Sequence, residues 1–235
     1  MFSPSAFVER DLRWLDRLAE HDPFATLITT DASGLPQATP LPVLYQRRDD
    51  HVLIEGHWAA ANPQAGHRGP ALMLFHGPHA YVSPGWYPDK LTAARVPTWN
   101  YATAQLRGEL ETFTDTDALG DLVDRLSAVH EARVGHNWQR DRHEARQVRM
   151  LSAIVGFRFR PREIAIKLKL SQNHPLANQQ AVMTALAGSQ TAAARETAHW
   201  MQRRLSEQAD NTRTPPDEPA TVPRPSLSPT SGTDQ

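Results

Sequence analysis

Phe75-His76-Gly77-Pro78-His79-Ala80-Tyr81-Val82-Ser83-Pro84-Gly85-Trp86-Tyr87, a basic spacer and Val96-Pro97-Thr98-Trp99-Asn100-Tyr101 make up the stretch around which the chain is organised. From Phe75 to Tyr101 it holds two tryptophans, three tyrosines and four prolines, too many breaks for a helix. Its aromatics stand beside Ser, Thr and Asn, between two strand-like runs. That pattern suits the wall of a pocket for a flat ligand. It suits equally well a proline-rich connection whose rings plug the end of a barrel. The residues alone leave both readings open.

Upstream, Ala71-Leu72-Met73-Leu74-Phe75 is a continuous apolar run and predicts a central strand, with Ala80 to Ser83 as another. Ser3-Pro4-Ser5 predicts the start of a helix in which Val8, Leu12, Leu15 and Ala19 recur at helical spacing as far as Glu20. Phe24 to Thr29 reads as a strand, Asp31 to Gly34 as a turn, and Gln37 to Gln46 as a returning strand. Pro40 and Pro42 assign part of that return to an edge or a bulge. His51 to His57 is a third strand, so these runs form an antiparallel meander. Ala59 to Pro63 reads as a short helical turn halted by the proline.

Downstream, Tyr101 to Phe113 alternates as a long strand, and Thr114-Asp115 caps a helix with a stripe of Leu119, Leu122, Val123, Leu126 and Val129. The charged run from Glu131 to Arg149 has Trp138 as its expected anchor. Met150 to Phe159 predicts a strand. Glu163 to Leu170 predicts another, with Lys167 and Lys169 on one face. Helices follow over 176–187 and 191–208. Residues 1–208 thus read as one domain, and 209–235, rich in Pro, Ser and Thr, as a disordered tail. Many short-spaced strands with flanking helices predict a mainly-β member of the α+β class, an antiparallel barrel with helices outside.

The totals exclude several functions. Among 235 residues there is no cysteine, which removes disulfides, thiolate metal sites and a cysteine nucleophile. The formal net charge of −1 gives no general field toward nucleic acid. The arginines of the 133–149 run are interleaved with Glu131, Asp141 and Glu144, so a solvated, salt-bridged helix is preferred to direct DNA contact. No apolar run reaches membrane-spanning length, and Met1 to Ser5 lacks the layout of a signal peptide. A cytoplasmic protein is therefore expected. Glycine-rich phosphate loops, a Gly-x-Ser-x-Gly elbow and His-Glu-x-x-His are all missing. His76 and His79 flank a Gly-Pro turn without a nearby carboxylate, which favours packing over metal.

Two further elements carry chemistry. Gly56-His57 through Asn62-Pro63 ends a strand and opens a turn whose free N–H groups can meet an anion, or simply cap. Lys167-Leu168-Lys169-Leu170-Ser171-Gln172-Asn173 can hold a phosphate or carboxylate, or can be a lysine-protected edge. Taken with the quoted stretch and Ala153-Ile154-Val155-Gly156-Phe157, and in this order and spacing, they resemble the PaiB family of FMN-binding negative transcriptional regulators over about Met1 to Ala187. The resemblance implies a flavin-binding split β-barrel of the pyridoxamine-phosphate-oxidase type. It also implies a homodimer with FMN at the subunit interface. Carried to this chain, it implies His57 and Asn62 at an anion-accepting turn, with Ser83, Trp86, Thr98, Trp99 and Asn100 around the ring and ribityl chain. Lys167, Lys169, Ser171 and Gln172 would supply charge and hydrogen bonds. The chain departs from the family at Ala60, Pro40 and Gln105, where a cation and two histidines are common. Alternatives are a haem-dependent N–N bond-forming enzyme resembling piperazate synthase, with His57 as axial ligand, a flavin-dependent oxidoreductase, and a cofactor-free interaction protein. No acid–base pair stands out as catalytic.

Overall fold

The structure, a computed structural model, describes residues 1–211, with side chains as far as 208. A single antiparallel sheet forms the body. Its strands are β1 (Val8–Glu9), β2 (Phe24–Thr30), β3 (Pro36–Pro42), β4 (Leu44–Arg48), β5 (His51–Ala59), β6 (Gly69–Val82), β7 (Thr98–Phe113) and β8 (Ile154–Lys169). They run in the order β3-β2-β6-β7-β8-β5-β4, with β1 added to β8. The two ends of that path, β3 and β4, are consecutive in the chain with only Val43 between them. The sheet therefore curls into a barrel closed at this corner by the backbone itself. Gly56 of β5 makes room there, since a Cβ on it would lie 3.1 Å from the Pro42 carbonyl oxygen.

Alternation puts one face of each strand inside. Leu27, Ile54, Met73, Phe75, Leu106, Phe157 and Phe159 are fully buried in the lumen. Helix α1 (Arg13–His21) packs against the sheet with Trp14, Leu15 and Leu18 fully buried. It fits because β6 bulges between His76 and His79, and a Cβ on Gly77 would sit 2.7 Å from Leu18 Cδ2. Helices α4 (Leu176–Ala187) and α5 (Ala192–Asn211) pack together, and Trp200 of α5 meets Trp14 at 5.5 Å. Helix α2 (Thr116–Arg133) covers the outer side of β5 and β8. There Arg125 and Arg158 both bond to Glu55, which is 3% exposed.

The mainly-β barrel, the Asp31–Gly34 turn and the two C-terminal helices stand as expected, but the single returning strand expected over Gln37 to Gln46 is broken at Val43 into β3 and β4, which lie at opposite ends of the sheet path, and its prolines fall on β3. Other elements differ. Val8 belongs to no helix: Ser5–Phe7 is a 3-10 turn, Val8 pairs with Lys167, and α1 starts only at Arg13. Pro63 opens its turn instead of halting one, because Asn62 caps it by accepting from Gln64 N–H at 2.9 Å and Pro needs no donor at the first position. The runs taken as two pairs of strands are single strands, β6 and β8. Their Gly-Pro and Pro breaks are absorbed as a bulge in β6 and a register shift opposite Pro161. Met150 to Ala153 is helical, since α3 (Ala145–Met150) runs into a 3-10 turn before β8 begins. Trp138 is half exposed and anchors nothing. Arg140, bonded to Asp124 at 3.0 Å across Gly120 of α2, fastens that segment. Val129 lies outside the buried stripe of α2. The tail expected over 209–235 lies outside the described residues, apart from 209–211 at the end of α5.

Gly108 gives a direct test of the β7–β8 crossing. A Cβ there would come within 2.1 Å of the Arg160 carbonyl oxygen. Gly108→Ala is expected to lower stability by about 2 kcal/mol or more, the scale of forced overpacking. Gly66→Ala, which meets nothing within 4 Å, should change it by roughly 0.5 kcal/mol or less. Paired denaturant titrations measure both.

Candidate functional site

The β7–β8 ladder fixes where the expected residues fall. Tyr101 is paired with Lys169 and Thr103 with Lys167, and on the other side of β7 Tyr101 is paired with His79 and Trp99 with Tyr81. These side chains share the outer face of the sheet. No helix covers the row: Trp99 is 52% and Tyr81 45% exposed, and their ring centroids lie 6.1 Å apart. Lys167 is buried on this face, its Nζ donating to the Phe2 carbonyl at 3.2 Å and standing 5.3 Å from the Tyr101 ring.

Where β7 begins and β8 ends, Thr98, Asn100, Lys169 and Ser171 converge. With Tyr87 and His174 they line a cavity of about 200 Å³. Lys169 Nζ donates to Thr98 Oγ1 and to the Trp99 carbonyl at 2.8 Å. Burial and the neighbouring Lys167 push its pKa down. Asn100 and Ser171, 1% and 3% exposed, hydrogen-bond each other at 2.9 Å. Ser171 has φ +66°, a left-handed conformation that L side chains seldom adopt. Gln172 steadies it by accepting from Leu170 N–H at 2.6 Å and donating to the Leu168 carbonyl. Ser83 is likewise engaged with backbone, capping the Pro84–Trp86 turn through Gly85 N–H at 3.1 Å, and Trp86 packs on the core.

His57 and Asn62 lie elsewhere. His57 pairs with Gly156, thirteen positions before Lys169 on β8, which is about 40 Å of strand at ~3.3 Å per residue. Its Nδ1 is buried without a partner, and burial lowers its pKa, so the ring is held neutral. Asn62 donates to Thr39 Oγ1 at 3.1 Å, at the edge of a polar cluster. In it Gln64 bridges Thr29 at 3.0 Å and the Gln37 carbonyl at 2.9 Å, and Thr29 meets His67 at 2.5 Å. One protomer therefore holds two separate groups of the expected residues, not one.

Three cavity residues escaped the sequence reading: Tyr87, Arg95 and His174. Tyr87 is 1% exposed, its hydroxyl stands beside Ser171 without a well-formed hydrogen bond among the described residues, and its ring stacks on His174 at 4.9 Å. Arg95 Nη1 reaches His174 Nδ1 at 3.1 Å, while its Nε donates to Asp89 at 2.9 Å. Asn178 of α4 also donates to Asp89, at 3.0 Å. Tyr87 stands within the quoted aromatic stretch and His174 at the end of the polar run after Lys169, so the signal was present. Their adjacency was not.

Comparison with known proteins gives three results. A family described as "Putative FMN-binding domain" matches residues 1–163. "Protease synthase and sporulation protein PAI 2" of Bacillus subtilis is 29% identical over 212 residues, 88% of this chain and 100% of that one. The structure of the FAD and haem binding protein from Mycobacterium smegmatis superposes with a TM-score of 0.50 at 20% identity. It covers 69% of this chain and 73% of that one, and the likeness extends to the fold.

The Arg95 guanidinium holds the Asp89 carboxyl down at about 2, with Asn178 helping. A carboxylate held below its unfolded value stabilises the folded form fully above about pH 4, and that contribution is lost as pH falls through about 2. Asp89→Ala removes the contribution at neutral pH. The 88–97 loop is then expected to be cut faster by trypsin after Lys90 and Arg95, with the barrel fragment intact. Limited proteolysis read by mass spectrometry checks this.

Proposed function

The chain belongs to the PaiB family of FMN-binding proteins, and on that premise we propose that it works as a homodimer with its cofactor between the outer faces of two barrels. The observation that carries this reading is the open row on β6, β7 and β8, where exposed Trp99 and Tyr81 stand beside Tyr101 and Lys169, with Lys167 buried next to them under the N-terminal segment. An isoalloxazine needs an apolar or aromatic wall, its phosphate needs cations and its heteroatoms need hydrogen-bond partners. This face supplies the wall and the lysines, and Thr98, Asn100 and Ser171 supply polar groups at its edge. The residues fit the group.

One protomer is not enough. The cavity at this site, about 200 Å³, falls below the ~300–1,000 Å³ of pockets that take up a drug-sized ligand. The group at His57 and Asn62 sits at the other end of β8. A two-fold pairing of outer faces completes the site if the second copy brings its His57 end to the first copy's Lys169 end. FMN, when bound, supplies electron-transfer chemistry, and the chain positions it and excludes water.

The relative's name links it to protease synthesis and sporulation, and we read this chain as a regulator that acts indirectly, through a small molecule sensed or altered at the flavin. Two of the five arginines of the 133–149 run, Arg140 and Arg142, both close on Asp124. A tight, salt-dependent and sequence-selective gel shift by the purified protein would overturn this reading. His57 favours a second occupant, haem, because a half-buried imidazole whose pKa is lowered by burial is suited to axial ligation. The absorption spectrum of freshly purified protein separates a flavin from a Soret band.

Lys167→Ala/Lys169→Ala is expected to weaken FMN about tenfold or more, the scale of a lost charge-assisted hydrogen bond. Fluorescence titration of the apoprotein measures it. A composite site makes a stronger prediction. His57→Ala and Lys169→Ala homodimers should each bind flavin poorly, and mixing their subunits should restore one intact site per mixed dimer. Flavin stoichiometry after subunit exchange is the readout, and no recovery would place all the contacts within one protomer.

A further inference from the structure

We propose that the cavity lined by Tyr87, Asn100, Lys169, Ser171 and His174 is a binding site for a small carboxylate, held beside the cofactor, with Lys169 at the boundary between the two. The groups that converge there act as donors. Tyr87 is 1% exposed, and its hydroxyl stands beside Ser171 at the cavity wall without a well-formed hydrogen bond among the described residues. A guanidinium can only donate, so the contact from Arg95 Nη1 at 3.1 Å makes His174 Nδ1 the acceptor and places the imidazole proton on Nε2. His174 is thereby fixed as a second donor. The third is Lys169, whose ammonium gives two of its three hydrogens to Thr98 and Trp99 and keeps one. Ser171 and Asn100, locked to each other at 2.9 Å, complete the wall.

Charge selects among anions. Asp89 is the carboxylate nearest this wall, and it is taken up by Arg95 and Asn178. Arg95 is paired with Asp89, so among the described residues Lys169 is the cation left to face the cavity. A single cation with neutral donors matches a carboxylate better than a doubly charged phosphate. Size agrees, because about 200 Å³ admits an acid of a few carbons and not a tricyclic ring. The conformation of Ser171 points the same way. A non-glycine residue at φ +66° costs energy and persists where the surroundings enforce it, as they do at ligand sites.

The assignment rests on the cofactor reading for its neighbour, the flavin, and not for the anion itself. The test is ligand-detected NMR and calorimetry with acetate and pyruvate, acetamide as the neutral control and inorganic phosphate as the rival, on the purified dimer with and without FMN. Carboxylates are expected to bind once per protomer while acetamide does not. Tyr87→Phe is expected to weaken them at least tenfold at unchanged melting temperature and flavin content. Failure of both carboxylates to bind, or equal binding by Tyr87→Phe, overturns the assignment. Phosphate binding in preference, lost when FMN is added, would make the cavity the seat of the cofactor's own phosphate and overturn it too. If the protein takes up no flavin, carboxylate binding by the apoprotein still decides this question alone.

Discussion

The pairing of β7 with β8, unbroken in direction from Tyr101–Lys169 to Phe113–Gly156, is the constraint on which the rest of the molecule depends. It sets Lys167 and Lys169 opposite Thr103 and Tyr101, beside the aromatic row of β6. It also carries His57, through Gly156, to the far end. Two strands of sixteen residues each are long enough to serve both ends of the barrel. They cannot serve them as one site within one chain. The separation of the two polar groups is thus a property of the ladder, not of any loop.

The ladder is tolerant at one place and strict at the next. Its register shifts at Arg107–Gly108, opposite the Arg160-Pro161 backbone, and only a residue without a side chain fits there. Elsewhere it is steadied from outside, by Arg158 and Arg125 on buried Glu55. A buried carboxylate flanked by two guanidinium groups is costly to leave unpaired, so α2 is tied to β5 in one orientation.

Much of the fold could be read before the structure, and the misreadings share a cause. Period-2 alternation and glycine turns located β2, β5 and β7, and Pro40 and Pro42 correctly marked an edge. Local rules treat proline as an end, whereas a bulge lets a long strand continue past Gly77-Pro78 and a register shift lets one continue past Pro161. Val8 fitted a helical spacing by chance and was claimed by β8 instead. At the site, Thr98, Asn100, Lys169 and Ser171 share one cavity, since the motifs that carried them flank the same strand pair. Tyr87 and Arg95 arrive from the connection between β6 and β7, and His174 from the connection between β8 and α4. Nothing short of the folded topology sets them side by side.

The short pairing of Val8 and Glu9 with Lys167 and Ile166 has a bearing on how the chain assembles during synthesis. The first strand made must wait for the last. Until residue 169 clears the ribosome there is no edge for the N-terminal segment to join, a delay on the order of 10–30 s at ordinary elongation rates. Phe2, whose carbonyl finally receives Lys167, is 86% exposed even in the finished chain. The late event therefore caps Lys167 with a backbone carbonyl and leaves the Phe2 ring exposed.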